Sequence, residues 1–154
     1  MENDIKTVAE LHETDHAPRA RAVHADPDAP ASPEQKPLPE GVMRKPLTQK
    51  SPAEWAYERV ILYIQNFEEQ LDAAHEIALG ITGGDTGLLR IEGVGYFDPD
   101  IVTFYGTDPD GTRVQLVQHV TQLNVMLRAM PKDAGPEPAK RIGFRLAADL
   151  EQEK

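Results

Sequence analysis

From Ser51 onward the apolar residues fall at helical spacing. Ala56, Val60, Ile64, Phe67 and Leu71 form one stripe, and Trp55, Tyr57, Ile61 and Leu62 widen it beyond what a solvent-facing helix needs. The start is written locally in Ser51-Pro52-Ala53-Glu54: a capping serine, a proline at the first helical position and a glutamate at the third. After Asp72 the period falls to two. Ile77, Leu79 and Ile81 alternate with Ala78, Gly80 and Thr82 in a predicted first strand. Leu89, Ile91, Gly93 and Gly95 alternate with Leu88, Arg90, Glu92 and Val94 in a second, whose glycines imply bending or close backbone approach. Asp98-Pro99-Asp100 interrupts it, and Ile101 to Thr107 gives a third strand. Asp108-Pro109-Asp110-Gly111 then makes a tight turn into a return strand from Thr112 to about His119.

Beyond Thr121, which is placed to cap a helix, Leu123, Met126, Leu127 and Met130 share a helical face up to Pro131. The alternation of Ile142, Phe144 and Leu146 with Gly143 and Arg145 predicts a closing strand. The expected fold is α+β: a mostly antiparallel curved sheet of about five strands, with an N-terminal helix and a helix before the last strand.

Composition divides the chain near residue 50. Eight of the thirteen prolines lie between Pro18 and Pro52, and no aromatic residue precedes Trp55, so residues 1–50 read as a disordered, proline-rich tail. Ile5, Val8 and Leu11 permit one short helix within it. Residues 51–148 are the expected compact domain, and 149–154 a frayed end. The whole chain carries a net charge of -10, of which -8 falls after Lys50 (17 acidic against nine basic residues). That balance opposes nucleic acid and anionic membrane as partners. No apolar run approaches the roughly 20 residues that cross a bilayer, and the first ten residues are acidic where a secretory signal is basic; the expectation is a cytoplasmic protein without membrane insertion.

Candidate chemistry is sparse. The absence of cysteine removes disulfides, thiol nucleophiles and thiolate metal sites, and the absence of serine after Ser51 removes a serine triad from the body. The glycine-rich stretch Gly80 to Gly87 lacks the lysine and following helix of a phosphate loop, and Asp108 to Gly111 lacks the ligand ladder of a calcium loop. No histidine has metal-ligand spacing, and no cofactor is implied. His119, with Gln115, Gln122 and Asn124 around it, is the candidate ligand-binding group, with Asp100 a possible acid-base partner; capping of the next element is the structural alternative. Trp55, Tyr57 and Leu62 are candidate protein-interface residues on the helix flank.

Two resemblances bear on these residues. The helix followed by short bent strands, with Gln115 to Thr121 around its histidine, resembles the RNA-binding Sm-like domains, from which the helix expected after Thr121 departs. The blocks Ser51 to Arg59, Tyr96 to Gly106, Gln115 to Asn124 and Arg141 to Leu146 resemble a small alphaproteobacterial family of unknown function over residues 51–148. That resemblance implies a bacterial setting and no catalytic residues. The expected role is a small adaptor or accessory subunit without catalytic activity, which binds another protein or itself.

Overall fold

The computed structural model describes residues 18–81 and 87–152. The short helix expected around Ile5, Val8 and Leu11 and residues 82–86 of the glycine-rich stretch lie outside them. The elements are α1 (Glu40–Met43), α2 (Pro52–Glu69), β1 (His75–Ile81), β2 (Leu88–Phe97), β3 (Ile101–Thr107), β4 (Arg113–His119), β5 (Val125–Pro131) and α3 (Gly143–Gln152). The strands form one antiparallel sheet in the order β4-β3-β2-β1-β5. The fold is α+β.

Helix α2 begins where its local signals place it. Ser51 accepts from the Glu54 N–H at 3.0 Å, and Pro52 occupies the first turn. Its stripe packs on the inner face of the sheet: Ala56, Val60 and Ile64 meet Ile77, Leu79, Leu89, Ile91, Val102 and Phe104, with Phe67 and Leu71 against the same cluster. Each large apolar side chain buried in this way contributes on the order of 2 kcal/mol. In β2 the expected alternation reverses. A bulge between Ile91 and Gly93 leaves Leu89 and Ile91 in the core but turns Val94 and Tyr96 inward after it, so Gly93 and Gly95 face outward. The bulge also explains Gly106, where a Cβ would stand 2.0 Å from the Arg90 carbonyl oxygen.

Two expected elements are corrected. Residues 125–131 are strand β5, not the helix expected after Thr121, and they pair with β1 from His75↔Pro131 to Ile81↔Val125. Leu123, Val125 and Leu127 pack towards the core while Met126 is 51% exposed, so the period is two. Residues 143–152 form helix α3, not a closing strand, and Phe144 stands 65% exposed instead of facing the core. The cause is Glu68 at the end of α2. Its buried carboxylate accepts from the N–H groups of Ile142 (3.0 Å) and Gly143 (2.5 Å), supplying from a distance the cap that the local sequence lacks. Gly143 fits because a Cβ there would lie 2.7 Å from Glu68 Oε1 and 2.8 Å from Gln65 Cα.

A second cluster lies on the far side of α2, where Tyr57 and Ile61 meet Val42 from α1 and Leu150 from α3. Composition places these last two residues in tails; both are fully buried. Lys50 fixes the approach to α2: only 2% exposed, it pairs with buried Glu58 at 2.6 Å, donates to the Val42 carbonyl, and lies 4.7 Å from the Trp55 ring centre. The loop before α3 is tied to β1 by Arg141, which donates to the His75 and Asp72 carbonyls, each at 2.8 Å. Glu76 joins the same seam, accepting from Arg90 at 2.6 Å and from the Lys140 N–H at 2.8 Å.

Candidate binding surface

Strand alternation sends Ile101, Thr103 and Tyr105 of β3 to the face opposite α2, where the register sets them beside His119, Val117 and Gln115 of β4. On the other flank Ile101 pairs with Phe97, Thr103 with Gly95 and Tyr105 with Gly93. The two glycines have a physical use here. Added Cβ atoms at Gly93 and Gly95 would lie 3.5 and 3.6 Å from the Tyr105 ring, so this ring lies across their backbone; the Thr103 hydroxyl donates to the Tyr105 oxygen at 3.3 Å. The result is a low aromatic and aliphatic surface, with Phe97 76%, Val117 59% and Tyr105 43% exposed. No described helix covers it.

His119 closes one end of this surface. Its Nδ1 accepts from the Thr121 N–H at 3.2 Å and lies 2.7 Å from the Thr121 hydroxyl, while Nε2 lies 3.0 Å from Asp100 Oδ2. A nitrogen that accepts a backbone N–H carries no proton, so the ring proton sits on Nε2 and is donated to Asp100. The Val120 N–H donates to the Asp100 carbonyl at 2.7 Å, fastening the 3-10 turn Val120–Gln122 to the start of β3. Both ring nitrogens are thus engaged within the chain, Nδ1 by the turn and Nε2 by Asp100. The structure brings His119 and Asp100 together as a capping pair.

The other expected site residues divide. Gln115 shares the outer face with His119, with Val117 between them. Gln122 ends the turn and Asn124 follows it, both exposed, and only the Gln122 carbonyl is engaged, by the Gln118 amide at 3.3 Å. Tyr57 is not on a free flank. It is 9% exposed, its ring centre lies 4.9 Å from that of Tyr96, and its hydroxyl donates to Asp149 at 3.0 Å. Trp55 and Leu62 do lie on the flank, facing the chain's own residues 18–47 across a cavity. Phe97, Tyr105 and Val117 were not singled out by sequence reasoning. The signal that finds them is the pair Gly93 and Gly95 opposite an aromatic residue across a strand pair.

Among the described residues no group of three histidine or acidic side chains could hold a metal ion, and no helix is long and apolar enough to cross a membrane. No curated protein and no solved structure matches the chain. A family model described as a family of unknown function, DUF6173, matches residues 48–145, from the approach to α2 through every strand to the start of α3. The match spans well over half of the chain, which therefore belongs to the DUF6173 family.

Proposed function

We propose that this chain is a non-catalytic protein-binding domain, an adaptor or accessory subunit that holds a partner on the outer face of β2, β3 and β4. The observation that carries the reading is the exposed row of Phe97, Val117 and Tyr105, the last lying across Gly93 and Gly95, on a sheet whose other face is filled by α2. Aromatic anchors in such a row are the side chains that dominate protein interfaces. The net charge of -10 makes a second copy of the same chain an unfavourable occupant and a basic protein with a complementary apolar face a favourable one. The occupied ring nitrogens of His119 argue against an acid-base enzyme centred there.

The test is reconstitution of the full-length chain with a purified candidate partner recovered by affinity capture, comparing the native protein with Phe97→Arg and Val117→Glu. The expected result is a stoichiometric complex whose association slows with added salt and which both substitutions abolish. A partner held equally well by the variants overturns the assignment of this face. A homodimer dispersed by the same substitutions replaces the basic partner with a second copy.

One observation favours the Sm-like reading as an alternative. The helix that set the chain apart from that pattern is strand β5, so the order is helix, four strands, a short 3-10 turn and a fifth strand. The acidic balance opposes it. Salt-dependent retention of single-stranded RNA by the full-length protein, lost with His119→Ala, would establish this alternative.

A further inference from the structure

A second site, independent of the sheet face, lies where the N-terminal segment crosses α2. A cavity of about 670 Å3 opens between residues 18–47 and the helix flank. Its charge is the reverse of the chain's: Arg19, Arg21, Lys36 and Arg59 line it against a single acid, Glu34. Two of these charges are already spoken for. Glu34 accepts a hydrogen bond from Tyr63, and Lys36 is held by Glu69 at 3.2 Å and Asn66 at 2.7 Å. Arg19, Arg21 and Arg59 have no carboxylate partner among the described residues.

Arg59 is the best organised of the three. Its Nε donates to the Trp55 carbonyl at 3.2 Å, and its guanidinium carbon lies 4.7 Å from the Trp55 ring centre. Stacking and the backbone bond fix the plane of the group and leave its terminal N–H groups for an oxyanion, which a guanidinium grips in a two-pronged fashion. Beside it the wall turns apolar. Leu62 lines the cavity, and Met43 and Leu47 remain 46% and 37% exposed at its edge. An unpaired cation next to uncovered apolar side chains, in a space of small-molecule size, defines both halves of a ligand.

We propose that this cavity binds an anionic amphiphile, a small molecule with one carboxylate or phosphate on an apolar body, with Arg59 holding the charged group and Leu62, Met43 and Leu47 receiving the body. Trp55 is the only tryptophan of the chain, so its fluorescence reports on this site alone. The experiment titrates the full-length protein with laurate below its micelle concentration and with phenyl phosphate. The controls are dodecanol, phenol and inorganic phosphate, with calorimetry for stoichiometry.

The expected result is saturable one-to-one binding of at least one of the two charged probes, about tenfold tighter than its neutral counterpart, as expected for one charge-assisted contact. Arg59→Gln, titrated well below its thermal midpoint, should weaken it by a similar factor, and the double variant Arg19→Gln, Arg21→Gln by less. Laurate and phenyl phosphate separate an aliphatic carboxylate source from an aromatic phosphate source. Absence of saturable binding by both overturns the proposal. So does equal affinity for the neutral counterparts, for inorganic phosphate alone, or for the native and Arg59→Gln proteins.

Discussion

Tyr63 and Glu34 show how a single contact ties the N-terminal segment to α2. The hydrogen bond from Tyr63 holds the Glu34 carboxyl below its ordinary value of 4.5, with a further contribution from Ser32, and the same carboxylate pushes the phenol from 10.0 up to about 12. Both shifts report one bond and count once. Because the folded-state value of the phenol is raised, the contact stabilises the fold fully below pH 10 and is lost as the pH rises towards 12. Because that of the carboxyl is lowered, its share is present above pH 4.5 and disappears as acid protonates the group below that. Absorbance titration should therefore show one phenolate forming near pH 12, absent in Tyr63→Phe; a Tyr63 that ionises near 10 would mean that the bond does not persist in solution. Glu68 acts on a larger scale of energy. Glu68→Ala leaves one buried and one part-buried N–H group without an acceptor and should cost about 2 kcal/mol in denaturant unfolding. Gly143→Ala should destabilise by roughly 1–3 kcal/mol through its clash with Gln65 and Glu68, and an unchanged midpoint in either variant would contradict the cap.

At the scale of elements, what the sequence discloses depends on where each element's determinants lie. The start of α2 is legible because Ser51, Pro52 and Glu54 act within one turn, and the β3–β4 turn because Asp108 and Gly111 do the same, with Gly111 at φ 84° and its N–H donating to the Asp108 carbonyl. Residues 123–130 satisfy both periods at once, and only the pairing of β5 with β1 decides between them. Helix α3 is hidden because its cap comes from Glu68, seventy-five residues before Gly143. His119 and its partner Asp100 are both legible as a polar pair, and what the sequence does not disclose is that the other ring nitrogen accepts from the Thr121 N–H. As a cap, His119→Ala should lower stability by about 1 kcal/mol while sparing recognition by the sheet face. Loss of partner binding at unchanged stability would return His119 to the site.

Across the whole molecule, α2 has two cores, one shared with the sheet and one with segments from both ends of the chain. Val42 and Leu150 lie 108 residues apart in sequence and are in one buried cluster with Tyr57 and Ile61. Leu150→Ala should cost about 3 kcal/mol. Val42→Ala combined with it should depart from additivity by at least ~0.5 kcal/mol in a double-mutant cycle, whereas either one combined with Phe104→Leu in the other core should add more simply. Strict additivity of the first pair would show that the two end segments pack independently.

The pairing of β1 with β5 has a consequence in time. Strands β2, β3 and β4 are joined by short turns and can find one another early, whereas Ile77 meets Ala129 only after the intervening fifty-one residues have been gathered. The meander should therefore be formed in the transition state and the β5 seam should close after it. Phe104→Leu is expected to slow refolding, Leu127→Ala to hasten unfolding while leaving the refolding rate nearly unchanged, and the reverse pattern in a chevron would place closure of the seam first. Until that closure the edge of β1 that receives β5 stays unpaired, so the amides of this seam, on the first strand and the last alike, are the latest to be protected from hydrogen exchange.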